Sequence, residues 1–260
     1  MTPRSLGPIV VVLAATLCTG LVAGSARAVT VTVAVATNFL KPLETLASDF
    51  AATSGHDVVV VSGSTGKLYA QITQGAPLDV FLAADTERPA KLIDDGLAIA
   101  DSRFTYALGR LVLLSRDPSA GADCVAALRA SAGKVAIANP ETAPYGAAAR
   151  AALQAMSLSP AVAGRIVQGE DVGQTFAFVD TANAAFGFVA LSQVAGEPPG
   201  ARPGCRWDVP ADLHPPIEQQ AVLLRRAAGN VAAEAFLAWL RGPEAGALIR
   251  AAGYGVPAAP

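Results

Sequence analysis

Small polar residues cluster at four points where the sequence predicts that a strand ends and a helix begins. These points are Thr37-Asn38, Gly63-Ser64-Thr65-Gly66, the turn Pro144-Tyr145-Gly146, and Glu170-Asp171-Val172-Gly173. Ser, Thr, Asn and Asp are ordinary helix N-caps, and any one of them alone is more often a cap than a ligand. Four helix beginnings together, however, offer unpaired backbone N–H groups and positive dipole ends, which are the usual features of an anion site.

The elements that must position these junctions are short strands alternating with amphipathic helices, a pattern typical of βαβ units. The sequence predicts strands at 29–36, 58–62, 80–83, 111–115, 135–138, 186–190 and 218–224. It predicts helices at 39–53, 65–74, 87–94, 124–130, 147–156, 176–180 and 230–241, and a Pro- and Gly-rich loop at 196–216. Ligands of open α/β sheets bind outside the carboxyl ends of the strands, so the polar junctions should meet at one cleft.

Two similar blocks followed by one more strand and helix predict an α/β protein of two lobes. Each lobe is expected to be a mixed, mostly parallel sheet flanked by helices. The chain should cross between the lobes twice, near 107–110 and near 215–219. Lobe I would then hold 29–109 with 217–260, and lobe II would hold 110–216.

The N-terminal segment has the three parts of a secretory signal peptide: a positive charge at Arg4, an apolar stretch, and the triplet Ala26-Arg27-Ala28. We predict a signal peptide at 1–28, cleaved after Ala28. An uncleaved membrane anchor is the alternative, and Leu17 before Cys18 argues against a lipoprotein. Because later segments fall short of the roughly 20 continuous apolar residues that span a bilayer, the mature chain is predicted to be soluble and exported.

Charge and cysteine content exclude some classes of function and predict one disulfide. The chain carries 19 Lys and Arg against 21 Asp and Glu, a net charge of −2, and lacks basic runs, so a nucleic-acid partner is not expected. In an oxidising compartment, Cys124 and Cys205 predict one disulfide, with two buried free thiols as the alternative. The spacing of Cys and His does not indicate a site for a free metal cation, and no cofactor is expected.

An enzyme is a weaker hypothesis than a binding protein. His56 and His214 lie far from the junctions, and a nucleophile elbow, a complete phosphate-binding loop and a zinc-protease helix are absent from the sequence. Lys67 is interpreted as a solvated helix residue. Caps and loop hydrogen bonds explain the carboxylates near strand ends, and we expect an anion site to keep their charges turned outward; they are Asp79, Asp85, Glu170 and Asp171. A secreted phosphate- or sulfate-ester hydrolase is the rival outside the binding class.

Five segments of the sequence match a known family. The motifs are TVAVATNF, VVSGSTGKLYAQITQGAPLDVFLAAD (60–85), NPETAPYGAAARAAL (139–153), GEDVGQTFAFVDTANAAFGFVALSQV (169–194) and FLAWLRGPEA (236–245). With them the chain resembles the periplasmic molybdate-binding receptors of ABC importers, within the type II periplasmic-binding-protein superfamily, from Val31 nearly to Val256. The second motif is long and specific.

The resemblance implies two lobes that close on a tetrahedral oxyanion, molybdate or tungstate. It implies that Thr37, Asn38, Ser64 and Thr65 contact the anion from one lobe, with Thr65 favoured over Ser64 for the main contact. The other lobe would contribute the backbone N–H groups of Tyr145 and Val172. Some members place a tyrosine where this chain has Ala190, so that contact is absent here.

The family also implies a periplasmic monomer that delivers its ligand to a membrane permease and its ATPase. Molybdate is fully deprotonated near neutral pH, so neutral N–H and O–H donors suit it, whereas protonated phosphate would need an acceptor. A receptor for sulfate or phosphate remains the rival within the binding class. Replacing Thr37 or Asn38 by Ala is expected to weaken anion binding with little loss of stability.

Overall fold

The computed structural model describes residues 28–198 and 202–257. The predicted signal peptide therefore lies, except for Ala28, outside the described residues. Across the described part of the chain, no helix combines the length and the apolar character needed to cross a membrane.

The first sheet has the strand order β2-β1-β3-β10-β4. Its strands are β1 (Thr30–Ala36), β2 (Asp57–Gly63), β3 (Val80–Leu82), β4 (Phe104–Gly109) and β10 (Ile217–Leu223). β1 runs parallel to β2 and β3, whereas β10 runs antiparallel to β3 and β4, with an irregular register between Gln219 and Gln220. The sheet is flanked by α1 (Leu40–Ser54), α2 (Thr65–Thr73), α3 (Glu87–Asp94), α8 (Val231–Leu240) and α9 (Pro243–Ala251).

The second sheet has the order β7-β6-β8-β5-β9. Its strands are β5 (Leu111–Ser115), β6 (Val135–Ala138), β7 (Ile166–Gly169), β8 (Phe186–Ala190) and β9 (Cys205–Asp208). β6 is parallel to β7 and β8, and β5 is antiparallel to β8 and β9. The helices around it are α4 (Cys124–Ala130), α5 (Pro144–Ala155), α6 (Ser159–Val162) and α7 (Val172–Asp180).

Helices cover both faces of the first sheet, which explains its valine-rich strands. Successive side chains of a strand point to opposite faces. Val33 of β1 joins the cluster that contains Phe50 and Phe236, and the adjacent Ala34 joins the cluster that contains Leu68 and Leu92. Because each face of β1 is buried, the strand is apolar almost throughout instead of alternating with polar residues.

The predicted α/β architecture, with two mixed sheets flanked by helices, is confirmed. The chain passes from the first sheet to the second at Arg110, between β4 and β5, and returns over 209–216, between β9 and β10. We retain 29–109 with 217–260 and 110–216 as a proposed division into lobes.

The prediction of a continuous loop at 196–216 was wrong for one segment, since residues 205–208 form β9. This strand pairs with β5, and its first residue, Cys205, is bonded to Cys124 of α4 with the two Cα atoms 5.4 Å apart. The predicted disulfide is thus confirmed. The local Pro and Gly content predicted a loop, whereas pairing with β5 and the disulfide to α4 stabilise a strand at this position.

Removing the disulfide should destabilise the protein. The bond closes a segment of 81 residues, and native bridges of this kind contribute about 2–5 kcal/mol to the free energy of unfolding. The double variant Cys124→Ala/Cys205→Ala should lose this amount in urea denaturation. A reductant should lower the stability of the wild type and leave the double variant unchanged; equal stabilities of oxidised and reduced wild type would contradict the prediction.

Candidate functional site

The four predicted junctions meet at a cavity between the two sheets. The structure brings together all six residues predicted as ligands. The lining consists of small, hydroxyl and amide residues with one carboxylate: Ala36, Thr37, Asn38, Gly63, Ser64, Thr65, Ala84, Ala143, Pro144, Tyr145, Asp171 and Val172. None of these lining residues, which all belong to the described part of the chain, is Lys or Arg.

The junction after β2 presents two buried hydroxyl groups. Ser64 is the N-cap of α2, and its oxygen accepts a hydrogen bond from the Lys67 N–H at 3.4 Å. The Thr65 oxygen accepts from the Ala84 N–H at 3.1 Å. Since each hydroxyl serves here as an acceptor, each keeps its own hydrogen available for donation. The exposed fractions, 4% for Ser64 and 1% for Thr65, do not decide between them as the main contact.

The junctions of the second sheet present backbone groups. Pro144 stands in the first turn of α5, followed by Tyr145. Asp171 caps α7, and Val172 is the first residue of that helix. The first N–H groups of a helix have no partner inside it, so those of Tyr145 and Val172 are available to a ligand in the cavity.

The side chain of Asn38 does not have the role of anion ligand that the sequence predicted for it. Only 3% exposed, it donates through its side-chain nitrogen to Gln219 Oε1 at 2.8 Å and to Tyr254 Oη at 3.0 Å. These two bonds use both hydrogens of the amide. The side chain is therefore part of the protein interior, and the backbone N–H of Asn38, at the start of the 3-10 turn 37–39 that leads into α1, is the group able to donate to an anion.

A buried polar cluster surrounds Asn38, and we call it the Asn38 cluster. Its other members are Tyr106, Tyr145, Ser192, Gln219 and Tyr254. Ser192 Oγ donates to the Asn38 carbonyl at 2.8 Å, Tyr254 Oη lies 2.7 Å from the same carbonyl, and Tyr106 Oη lies 3.1 Å from Gln219 Oε1. Burial raises the pKa of Tyr254 to about 12 and raises the pKa of Tyr106 and Tyr145 well above the ordinary value, so the phenols stay neutral.

Two atoms of the Asn38 cluster, Tyr145 Oη and Gln219 Nε2, are buried and make no hydrogen bond of acceptable geometry among the described residues. Both lie beside Gly109, where β4 ends: a Cβ at this position would collide with Tyr145 Oη and come within 3.0 Å of Gln219 Nε2. Tyr145 thus carries a backbone N–H at the cavity and a hydroxyl beside β4 and β10, the strands of the first sheet that adjoin the two chain crossings.

Sequence reasoning did not find the Asn38 cluster. The available signals were weak: the polar run Glu218-Gln219-Gln220 in a strand whose other residues are apolar, and Tyr254 between two glycines near the C-terminus. Nothing in the sequence shows that these positions approach Asn38, which precedes Gln219 by 181 residues.

Direct contacts also join the two sides of the cleft. The Gly66 N–H donates to the Thr142 carbonyl at 2.8 Å, the Thr37 hydroxyl to Asp171 Oδ2 at 3.0 Å, and Arg88 to the Glu141 carbonyl at 2.9 Å. Lys67 forms an ion pair with Glu170, whose hydrogen bond raises the pKa of Lys67. Lys67, predicted to be solvated, is exposed but paired across the cleft.

The carboxylates near strand ends mostly have structural partners. Asp79 accepts from the Thr32 N–H and from Arg226, and Asp85 accepts from the Arg88 N–H. The expectation that all these charges turn outward was wrong for Asp171, because Asp171 lines the cavity. It does so because its carboxylate caps α7, accepting from the Gln174 N–H at 2.9 Å, and that helix begins at the cleft. Among the described residues, no group of three or more His, Cys, Asp or Glu could hold a metal ion.

Comparison with known proteins gives matches over nearly the whole chain. A family model described as bacterial extracellular solute-binding protein matches residues 31–255. The molybdate-binding protein ModA of Azotobacter vinelandii is 47% identical over 255 residues, covering 97% of this chain and 98% of that protein. The molybdate-binding protein ModA of Rhodobacter capsulatus is 45% identical over 221 residues, covering 85% and 86%.

Solved structures agree with these matches. The structure of the Azotobacter vinelandii periplasmic molybdate-binding protein has a TM-score of 0.83 to this chain at 43% sequence identity. The match covers 88% of this chain and 100% of the Azotobacter vinelandii chain.

Asn38→Ala should destabilise the fold, in contrast to the expectation from sequence. The substitution leaves the buried Tyr254 Oη without its donor and removes one of the two donors to Gln219 Oε1, at a cost of about 1–3 kcal/mol in the free energy of unfolding. Urea denaturation measures this loss. Asn183→Ala is the matched control, since the exposed Asn183 amide donates, within the described residues, only to the Thr181 hydroxyl, and it should change stability by less than about 0.5 kcal/mol. Equal stabilities of the two variants would contradict the assignment.

Proposed function

Since this chain belongs to the family of bacterial extracellular solute-binding proteins, we propose that it captures molybdate, or tungstate, in the cleft between its two sheets. The family resemblance inferred from the sequence motifs is confirmed. The observation that carries the proposal is the convergence of four helix beginnings on one cavity whose lining residues include neither Lys nor Arg.

The available donors suit a tetrahedral dianion. Ser64 and Thr65 would donate through their hydroxyls from one side, together with the backbone N–H groups of Thr37 and Asn38. Tyr145 and Val172 would donate through backbone N–H groups from the other side. Each donor is neutral, and the positive ends of the helix dipoles favour the negative charge without a counter-ion.

The roles of Thr37 and Asn38 change from the sequence-based expectation. The Thr37 hydroxyl hydrogen is directed at Asp171, and the Asn38 amide hydrogens at Gln219 and Tyr254. We therefore propose that these two residues contribute backbone N–H groups at the start of the 3-10 turn, and that their side chains hold the turn in place.

The preference for molybdate over sulfate depends on size, since the two anions share charge and shape. Sulfate oxygens lie closer to the central atom, so a pocket fitted to molybdate leaves the hydrogen bonds to sulfate long. Tungstate is nearly the same size as molybdate, and the proposed donor set treats both alike. The relatives that support molybdate are those of Azotobacter vinelandii and Rhodobacter capsulatus.

The proposed biological role is delivery to a membrane importer. The chain would be exported by its signal peptide and act in the periplasm as a monomer without a cofactor. It would pass its anion to the permease and ATPase of an ABC transporter. Rigid movement of the two sheets about the crossings at Arg110 and 209–216 would open and close the cleft. We propose binding without a catalytic step.

Thermal unfolding of the mature protein with different anions tests the ligand. A ligand held only by the folded state, at about one hundred times its Kd, adds about 2.7 kcal/mol, which for a domain of this size raises Tm by about 5–10 °C. Molybdate and tungstate should produce this shift, and sulfate and phosphate should not. A shift with sulfate or phosphate alone would change the ligand, and no shift with any of the four would contradict an oxyanion site.

Single variants can locate the contact. Ser64→Ala and Thr65→Ala should both reduce the shift produced by molybdate, and the larger reduction identifies the main donor. Ser119→Ala, which removes an exposed hydroxyl bonded to Asp117, should keep the full shift. If Ser119→Ala lost as much as the cavity variants, the assignment of the donors would be wrong.

A further inference from the structure

Asp171 is among the residues that line a cavity that we propose to hold an anion, and its carboxylate is bonded to the hydroxyl of Thr37, another lining residue. It is the only carboxylate among the described lining residues. The neighbouring Glu170 differs, because it is exposed and forms an ion pair with Lys67 across the cleft. An unshielded carboxylate at Asp171 would oppose the binding of any dianion.

Both oxygens of Asp171 have donors. Oδ1 accepts from the Gln174 N–H at 2.9 Å within the first turn of α7. Oδ2 accepts from the Thr37 hydroxyl at 3.0 Å, and this bond connects the two sheets. The geometry of the second bond is fixed by close packing, since a Cβ on Gly173 would collide with Thr37 Cγ2.

The hydrogen bond from Thr37 to Asp171 bears on the choice between anions, because molybdate, sulfate and phosphate differ in protonation near neutral pH. Molybdate and sulfate carry no proton near neutral pH, so they present only acceptors to Asp171 and gain nothing from it. Phosphate retains at least one proton at the same pH and could donate that proton to a free carboxylate oxygen. An uncovered Asp171 would therefore favour phosphate relative to molybdate.

We propose that Thr37 is a specificity-determining residue whose hydroxyl donates to Asp171 Oδ2 and so competes with proton-bearing oxyanions for this acceptor. This inference rests on the proposed oxyanion function and extends it to phosphate rejection. The Thr37 side chain acts through Asp171, whereas Ser64 and Thr65 act by contacting the anion.

The variant Thr37→Val tests the proposal, because valine keeps the shape of threonine and removes the hydroxyl. Kd values for molybdate, sulfate and phosphate are measured by calorimetric titration of the full mature chain at one neutral pH. The affinity for phosphate relative to molybdate should rise by roughly 10- to 100-fold, the range that a hydrogen bond to a charged group supports. The affinity for sulfate relative to molybdate should not change, because sulfate has no proton to donate.

Three further variants separate this effect from others. Thr37→Ser retains the hydroxyl and should retain the wild-type ratios. Asp171→Asn removes the carboxylate while its Oδ1 can still cap α7, and Thr37→Val in that background should no longer raise the phosphate ratio. If Thr37→Val does not fold by circular dichroism, Thr37→Ala replaces it, with the same expected change.

Two outcomes would overturn the proposal. One is a Thr37→Val protein whose molybdate affinity falls while the phosphate-to-molybdate ratio stays at the wild-type value, which would make Thr37 a direct ligand only. The other is an equal rise of that ratio in the Asp171→Asn background. Wild-type protein that binds none of the three anions would instead refute the proposed function, so the two failures are distinguishable.

Discussion

The first N–H groups of an α-helix have no partner within the helix, and in this protein four helical segments begin at the same cleft. Elsewhere in a fold, such groups are satisfied by caps or solvent. Here β1 and β2 of one sheet and β6 and β7 of the other end at the cleft, so the helices that follow them begin there, and the dipole of each helix directs its positive end inward. This arrangement supplies donors and positive dipole ends to the cleft although its described lining contains neither Lys nor Arg.

The second requirement is that donors on opposite sides of the cleft keep their positions although the sheets are joined by only two chain crossings. The hydrogen bonds of the Asn38 cluster hold these donors in position. Gln219 lies on β10, which returns from the second sheet to the first, and it holds Asn38, while Ser192 reaches the Asn38 carbonyl from the end of β8. Burying so many polar groups is favourable only when they are paired, and Tyr145 Oη and Gln219 Nε2 are the two exceptions recorded in the cluster.

The sequence was sufficient for the junctions because their signals are local. A valine-rich run followed by Thr-Asn or Ser-Thr and an amphipathic stretch specifies a strand, a turn and a helix within about 20 residues, and the rule on strand ends then brings the junctions together. Where partners are distant in sequence, prediction failed. β9 depends on β5 and on Cys124, the amide of Asn38 depends on Gln219 and Tyr254, and Asp171 faces the cavity because the helix it caps begins there. The helix Pro243–Ala251, which packs against α1 and α8, was not predicted either, since Pro and Gly interrupt its apolar pattern.

The hydrogen bond from the Gly66 N–H to the Thr142 carbonyl joins main chain to main chain across the cleft, and it constrains the evolution of its two positions unequally. A Cβ on residue 66 would come within 2.9 Å of the Thr142 Cα, so glycine is required at 66 for the backbones to approach. The identity of residue 142 does not enter the bond, because a carbonyl is common to every amino acid. Related chains can therefore change residue 142 without losing this contact, whereas any side chain at 66 separates the two sheets.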